Sequence, residues 1–512
     1  METLNFLATG FAVALAPMNL MLVLVGCFMG TLIGSLPGIG PINGVAILLP
    51  LAYAMGFPPE SALILLAGVY YGAEYGGRIS SILLNVPGDA GAIMTTLDGY
   101  PMSKRGEGGR ALALSAVSSF AGSMGALLMM VASAPLLSQF AIQFGPTEYV
   151  WLMVFAFTCL ATMVGSRPVK TMVGVMIGLL LATVGVDSGT GVLRFTLGIP
   201  NFFDGVDFLV VVIGLFAISE VLALLEQWAR KDLVITPVGK SFVSLADLLA
   251  VKWVVLRSTV IGFLIGVLPG TGASIASAVA YGTEKRIAEG DDDQFGKGDI
   301  RGLAAPEAAN NASAAGSMVP MLTLGIPGSG TTAILLGALM MFNITPGPLL
   351  FEQQPQIAWG LIASMFIGNI ALLVMNLPMI GLFVRLLSIR QAYLVPVIVM
   401  LTFVGIYSIH GDSFDLFFMV LLGVFGFLLR KLHFSLAPVI LGLVLGEVLE
   451  ENLRRALSIS GGDWGILFNG PMAYTLAVAT AAALLAPSLW RWYKKSAKNG
   501  VKPGASLADS GD

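Results

Sequence analysis

Long stretches without charged side chains dominate this chain and predict helices that cross a membrane. No Asp, Glu, Lys or Arg occurs between Glu2 and Glu60, and none occurs between Arg110 and Glu148. A membrane-spanning helix needs about 20 consecutive, mostly apolar residues. The pattern predicts such helices at 17–36, 60–77, 111–134, 147–165, 169–186, 207–228, 253–268, 356–375, 392–409, 413–429, 434–449 and 472–490.

Four further apolar stretches are rich in Gly, Pro, Ser, Thr and Asn, which favours re-entrant hairpins: 40–57, 79–97, 271–282 and 305–342. Within a bilayer, irregular backbone is tolerated only where protein or a water-filled cavity receives it. Residues 135–145 and 378–390 are predicted to lie in the membrane interface.

Two internal repeats are the most informative feature of the pattern. The segment Gly30–Gly40 (GTLIGSLPGIG) returns as Gly262–Gly272 (GFLIGVLPGTG), identical at eight of eleven positions. A second pair, Leu84–Gly88 (LNVPG) and Leu324–Gly328 (LGIPG), follows at nearly the same offset. Repeats with interrupted hydrophobic segments at matching places are typical of secondary transporters with a site near the bilayer midplane.

Composition supports a multi-pass membrane protein with little soluble mass. Of 512 residues, 56% are hydrophobic and only 11% are charged, whereas soluble domains are about 25% charged. The net charge of −3 gives no sign of a nucleic-acid partner. The expected surroundings are therefore a lipid bilayer.

Basic residues predict the topology and the division of the chain. The segment 229–257 is rich in Lys and Arg and is predicted to be a cytoplasmic linker. It separates a first repeat, 1–228, from a second repeat, 258–490, and 491–512 is predicted to be a cytoplasmic tail. The loop 103–110 is basic, whereas its counterpart 343–355 has no basic residue. This reversal predicts an all-α protein of two inverted-topology repeats with broken helices and re-entrant hairpins.

The first pair of breaks predicts cation sites. Proline removes a backbone donor and glycine accepts positive φ, so each break exposes carbonyl groups that suit Na⁺. The candidate Na⁺ positions are Gly38, Gly40, Gly270, Thr271 and Gly272. The alternative is a structural kink that allows close helix packing.

The second pair of breaks predicts the substrate site, as the tips of two hairpins that meet near the midplane. Polar side chains and N–H groups there suit an anionic substrate, and the candidates are Asn85, Pro87, Gly88, Pro327, Gly328, Ser329, Thr331 and Thr332. The alternative for the short polar residues is helix capping. Asn43 is a further candidate ligand, or it bonds to a neighbouring helix.

Ionisable residues at membrane depth add two more hypotheses. Glu74 and Arg78 are four residues apart and share one helical face. Arg78 is either the counter-charge for a carboxylate substrate or the partner of Glu74 in an internal salt bridge. Glu307 and Asn311 lie in a second polar island, in which Glu307 neutralises a cation or caps a helix and Asn311 is a candidate substrate contact.

The inventory of reactive residues argues against an enzyme. The two histidines, His410 and His433, belong to no metal-binding motif, and Gly239-Lys240-Ser241 lacks the first glycine of a P-loop. No cofactor is expected, and without a nucleotide site any active transport must draw on an ion gradient or on another subunit. The alternatives to a transporter are a passive channel and a membrane-embedded enzyme that uses Glu74 or Glu307.

These motifs resemble those of the TctA family, the large membrane subunit of tripartite tricarboxylate transporters. The similarity rests on GSLPGIG, YGGRISSILLNVPG, GVLPGTG, PEAANNA and LGIPGSGTTA, and it covers roughly 5–490. It implies a bacterial inner-membrane importer of citrate or a related carboxylate, driven by Na⁺ or H⁺. It further implies a small TctB-like membrane partner, a periplasmic TctC-like binding protein and an elevator-like motion.

Overall fold

A computed structural model describes residues 2–163, 168–187, 189–227, 242–270, 272–288, 294–387 and 391–500. Among these residues, the first half of the chain forms ten α-helices: α1 (Glu2–Ala14), α2 (Pro17–Ser35), α3 (Gly40–Ala54), α4 (Pro59–Leu84), α5 (Ile93–Met102), α6 (Gly108–Ala141), α7 (Pro146–Met163), α8 (Pro168–Ala182), α9 (Phe208–Val212) and α10 (Ser219–Gln227). Short π-helical segments, Ser103–Glu107 and Ile213–Ile218, join α5 to α6 and α9 to α10. A two-stranded antiparallel hairpin, β1 (Gly185–Val186) and β2 (Leu193–Arg194), follows α8.

The described residues of the second half form eleven α-helices: α11 (Leu245–Val267), α12 (Gly272–Ile287), α13 (Ile300–Leu324), α14 (Gly330–Met341), α15 (Leu350–Gln353), α16 (Pro355–Asn376), α17 (Ile380–Leu387), α18 (Gln391–His410), α19 (Ser413–Lys431), α20 (Ala437–Ile459) and α21 (Pro471–Gly500). The described residues are thus almost entirely helical, as the sequence predicts.

By length and composition, six helical segments among the described residues can cross a membrane: Pro17–Ser35, Ile93–Ala141, Phe208–Glu226, Leu245–Val267, Pro355–Asn376 and Ser413–Lys431. Four other predicted spans, 147–165, 169–186, 392–409 and 472–490, fall on shorter apolar helices. Of the last two, 60–77 lies within α4, and 434–449 overlaps α20, which begins at Ala437. The chain is therefore a multi-pass, all-α membrane protein.

Helices run through three of the predicted segments. Residues 135–141 continue α6 instead of starting a separate interfacial helix, because Ala134, Ser138 and Ala141 are buried in the protein. The C-terminal part of the predicted linker is helical, because Ser244 and Asp247 form a capping box that begins α11. Helix α21 continues to Gly500, into the predicted tail. The linker residues 229–241 and tail residues 501–512 lie outside the described residues, and the repeat boundaries stay predictions.

The repeated motifs occupy equivalent places in two closely packed helix pairs, α2 with α4 and α11 with α13. A Cβ atom added to Gly34 of α2 would lie 2.6 Å from the Cα atom of Ala73, and one added to Gly266 of α11 would lie 2.8 Å from the Cα atom of Ser313. The offsets, 232 from Gly34 to Gly266 and 240 from Ala73 to Ser313, are those of the two pairs of sequence motifs. The two repeats therefore share their internal packing. Their inversion across the membrane stays a prediction.

Helices α4 and α13 form the centre of the molecule. Nearly all of their residues are buried, from Ser61 to Leu83 in α4 and from Gly302 to Thr323 in α13. A helix buried on all sides is normally apolar, yet these two carry Glu74, Arg78 and Glu307. These polar residues belong to the candidate site.

Candidate functional site

The two Leu-Pro-Gly motifs interrupt helices in the same way. Helix α2 ends at Ser35 and α3 begins at Gly40, whereas α11 ends at Val267 and α12 begins at Gly272. All four glycines proposed as cation positions have positive φ: Gly38 (84°), Gly40 (64°), Gly270 (74°) and Gly272 (62°). Thr271 lies outside the described residues. The breaks are confirmed, and their role in cation binding stays a prediction.

The first tip, residues 85–92, follows α4. Asn85 ends the helix in the left-handed region with φ 58° and is exposed. The amide of Gly88 donates a hydrogen bond to the carbonyl oxygen of Gly77 at 3.4 Å, and an added Cβ atom would lie 2.5 Å from the Cα atom of Gly77. The Pro87-Gly88 segment therefore packs tightly against α4, and at position 88 only glycine fits.

The second tip, residues 325–329, follows α13 and is more deeply buried. Gly325 ends the helix with φ 69°, and Pro327 and Gly328 are buried. Ser329 and Thr332 form a capping box at the start of α14, with Ser329 N donating to Thr332 Oγ1 at 2.8 Å and Thr332 N donating to Ser329 Oγ at 3.2 Å. The capping alternative is confirmed for these two residues. Thr331, between them, is buried.

The two tips converge around Tyr70 of α4 and the beginning of α3. A Cβ atom on Gly40 would lie 3.1 Å from Asp89 Cβ, and one on Gly330 would lie 2.8 Å from Ile42 Cδ1. The Tyr70 hydroxyl lies 3.1 Å from Ser317 Oγ and interacts with Ser329. The structure thus brings both tips and the first break together.

The second break reaches the same region through the helix that follows it. A Cβ atom on Gly91 of the first tip would lie 3.1 Å from Ala273 Cβ in α12. Gly270 itself packs against the side chain of Leu160 in α7.

Arg78 is buried at 2% exposure, with its guanidinium carbon 4.5 Å from the centre of the Tyr75 ring. Its Nε and Nη1 atoms have no hydrogen-bond partner among the described residues. The ion pairs found in the described part of the chain do not include Arg78 with Glu74, so the predicted alternative of an internal salt bridge is wrong. The acidic neighbour of Arg78 is Glu307 of α13.

Glu307 and Asn311 lie together on α13. Glu307 accepts hydrogen bonds from Thr95 at 2.5 Å and from Ser119 at 2.8 Å. Asn311 donates to the Glu307 carbonyl oxygen at 3.1 Å, and its own Oδ1 atom has no partner in the described part of the chain. These hydrogen bonds therefore crosslink α5, α6 and α13 and leave the amide oxygen of Asn311 available.

Asn43 follows the first break and forms a hydrogen bond with a neighbouring helix, which is the alternative to its predicted role as a ligand. Its Nδ2 atom donates to the Ile39 carbonyl oxygen and, at 3.2 Å, to Glu220 of α10. Glu220 is in turn paired with Arg430 at 2.5 Å. A contact between Asn43 and substrate stays a prediction.

Sequence reasoning missed three side chains of this region: Tyr70, Asp89 and Asn310. Asp89 follows Pro87-Gly88 directly, and Asn310 precedes Asn311, so both residues could have been found from their position beside predicted site residues. Tyr70 gave no signal, because a tyrosine within an apolar helix is usually a core residue. No group of three or more His, Cys, Asp or Glu side chains in the described ranges is arranged to hold a metal ion.

Similarity to known proteins agrees with this architecture. The model of the tripartite tricarboxylate transporter TctA family matches residues 20–441. The chain belongs to the TctA family. A relative described as an uncharacterized 52.8 kDa protein in the TAR-I ttuC' 3' region of Agrobacterium vitis is 40% identical over 487 residues, covering 95% of this chain and 96% of the relative. This TctA-family chain is thus a membrane component of a transporter, and the transporters of this family are tripartite.

A second relative, described as an uncharacterized protein in the TAR-II ttuC' 3' region of Agrobacterium vitis, is 45% identical over 215 residues. That alignment covers 42% of this chain and 88% of the relative. No solved structure matches the chain.

Proposed function

We propose that this protein is an ion-gradient-driven importer of citrate or a related carboxylate in the bacterial inner membrane. It would work with a small TctB-like membrane subunit and a periplasmic TctC-like binding protein that delivers the substrate. Membership of the TctA family supports transport and the tripartite assembly. The observation that carries the mechanism is the convergence of two helix-breaking tips on Tyr70.

The substrate in this proposal lies between the tips and faces the N-terminus of α14. The first N–H groups of a helix have no acceptor within it, and the helix dipole favours negative charge there. In α14 the amides of Gly330 and Thr331 precede the first bonds within the helix. These groups suit a carboxylate, while Ser329 and Thr332 hold the helix end in place.

Arg78 supplies the second positive element of the proposed site. Buried ionisable groups in membrane proteins are costly and are usually functional. Two guanidinium nitrogens of Arg78 have no partner in the described ranges, so a substrate carboxylate would compete with Glu307 for this charge. Asn85, Asn311 and the carbonyl groups of the glycine breaks complete the proposed set of ligands.

Alternating access in this proposal is an elevator-like motion of the part that carries the tips, with the two repeats related by inversion. Glycines at helix contacts support it, because α2 with α4 and α11 with α13 approach closely enough to move as rigid pairs. The helix breaks provide irregular backbone where ligands are expected in such transporters.

The test is uptake of labelled citrate into membrane vesicles that contain this chain, the small subunit and the binding protein. We expect accumulation above the external concentration when an inward Na⁺ or H⁺ gradient is present, and equilibration at most without one. Uptake that never exceeds equilibrium would identify a passive channel and contradict the proposal. Chemical conversion of the carboxylate without a gradient would identify an enzyme.

A further inference from the structure

Three polar side chains beside the first tip face one another: Glu74, Asp89 and Asn310. Glu74 is 3% exposed and Asn310 is 2% exposed. Glu74 interacts with Asn310, and it lies close enough to Asp89 for the two carboxylates to repel each other. A Cβ atom on Gly91 would lie 2.5 Å from Asn310 Oδ1 and 3.1 Å from Asp89 Oδ2. The Asn310 Oδ1 and Asp89 Oδ2 atoms therefore border the same small volume.

Two of these oxygens are unsatisfied. Glu74 Oε2 and Asn310 Oδ1 are buried and have no hydrogen-bond partner among the described residues. Asp89 accepts backbone hydrogen bonds from Gly91 at 3.3 Å and from Ala92 at 3.1 Å. A carboxylate has lone pairs for about four contacts, so Asp89 retains the capacity to bind a cation.

The local charge is also unbalanced. Glu74 interacts electrostatically with two other carboxylates, those of Asp89 and Glu307, and Glu307 interacts with the guanidinium of Arg78, so these four side chains carry −2 when all are ionised. Glu307 has the Arg78 charge and two hydroxyl donors to compensate it. For Glu74 the favourable partner is the neutral Asn310 side chain, without a neighbouring cation among the described residues, and a buried charge that is not balanced by another charge is strongly unfavourable.

We propose that Glu74, Asp89 and Asn310 bind Na⁺ as the coupling cation, an inference that rests on the proposed transport function. Hard oxygen ligands suit such an ion, and one positive charge halves the excess negative charge of the region. This site differs from the carbonyl sites predicted at the glycine breaks, although Gly40 lies against Asp89.

The first tip provides a route for the ion. Asp89 is half-buried, and its neighbours Asn85 and Ala90 are exposed. In this proposal a cation contacts Asp89, the most exposed of the three side chains, before it contacts the buried oxygens of Glu74 and Asn310. Binding in this order links occupancy of the site to the conformation of the tip.

The experiment measures equilibrium binding of radioactive sodium to the purified full chain in the absence of carboxylate. Wild type should bind saturably, and Glu74→Gln and Asn310→Ala should weaken binding at least about 10-fold, the scale on which changes around a metal site act. Asn310→Asp, which keeps an oxygen in place, should retain binding. Asn376→Ala is the matched control, because Asn376 is equally buried and its Oδ1 atom also has no partner in the described part of the chain.

Thermal unfolding in choline chloride checks that each variant is folded. Absence of saturable Na⁺ binding by wild type, or normal binding by both Glu74→Gln and Asn310→Ala, would overturn the site. Failure of the transport proposal looks different: wild type would bind Na⁺, and the variants would lose it, while vesicles accumulate no carboxylate under any gradient.

Discussion

The two tips share a backbone design but differ in chemistry. Each follows a long buried helix that ends in a left-handed residue, Asn85 or Gly325, and each presses a glycine, Gly88 or Gly328, against that helix. The first tip is partly exposed and continues with the carboxylate of Asp89. The second is buried and continues with the hydroxyl of Ser329 at the start of a helix.

The same division extends along α4 and α13. At the offset of 240 that relates the two tips, Glu74 and Arg78 correspond to Ala314 and Met318. Glycine contacts are repeated because they fix the backbone, whereas the charged positions are not repeated. The comparison teaches that the repeats supply a common frame, on which the first tip suits a cation and the second suits an anion.

The largest expected effect comes from giving the second tip the charge of the first. Ser329→Asp should raise the KM for the carboxylate about 100-fold or more, because juxtaposed like charges cost several kcal/mol. Aspartate is as good an N-cap as serine, so the capping of α14 should persist. Initial rates of citrate uptake against concentration measure the effect.

Ser329→Asn is the matched control, since asparagine also caps a helix but adds no charge. We expect its KM to stay close to that of wild type. If the two variants have equal KM values, the second tip does not face the substrate, and the assignment of anion and cation to different tips fails.

The shared frame predicts equal penalties at equivalent glycines. Gly34→Ala and Gly266→Ala should each lower the free energy of unfolding by about 1–3 kcal/mol, the usual cost of overpacking. The added methyl groups would lie 2.6 Å from Ala73 Cα and 2.8 Å from Ser313 Cα. Thermal unfolding in detergent measures both.

Gly282→Ala in α12 is the control, because a Cβ atom there meets nothing within 4 Å. It should be neutral or stabilising by up to about 1 kcal/mol, the helix-propensity difference between glycine and alanine. A penalty at only one of Gly34 and Gly266 would mean that the two repeats do not share their packing.

Much of the fold could be predicted, because apolar length and Pro-Gly breaks are local signals. The predicted breaks at Gly38 and Gly270 follow from residues within a few positions. Helix α6 was misjudged beyond Pro135, because its continuation depends on burial of Ser138, which donates a hydrogen bond to the distant Pro348 carbonyl oxygen.

The site was predictable only in part, for a related reason. Spacing placed Glu74 and Arg78 on one helical face, but it contained no information on the opposing helix. Glu307 of α13 is the acidic neighbour of Arg78, and Asn310 of the same helix interacts with Glu74. Such pairings depend on contacts between repeats, which the sequence of one repeat does not encode.

The smallest expected effect concerns the β-hairpin after α8. This hairpin lies in the connection between α8 and α9, which is much longer than the connection between α19 and α20. Asp187 of this hairpin accepts N–H groups from Gly189 at 2.9 Å and Thr190 at 2.8 Å, and it pairs with Arg194 and Arg454. The same segment borders a cavity of about 560 Å³ that reaches Gly337 of α14. The hairpin thus lines the same cavity as the helix that begins at the second tip.

Acid should open this hairpin. The Thr190 amide, more than any other group, holds the pKa of Asp187 below its ordinary value. The ionised form therefore stabilises the folded hairpin above the unfolded pKa of about 3.9, and this contribution is lost as the pH falls through the lower folded value. Hydrogen exchange of the 185–206 amides, corrected for its intrinsic pH dependence, should show protection at neutral pH that decreases below about pH 4. Asp187→Asn should already be less protected at neutral pH, because it loses the charge that pairs with Arg194 and Arg454. Asp204→Asn, which removes an exposed carboxylate of the same segment, should behave as wild type. Protection in Asp187→Asn equal to that of wild type at every pH would show that this carboxylate does not hold the hairpin.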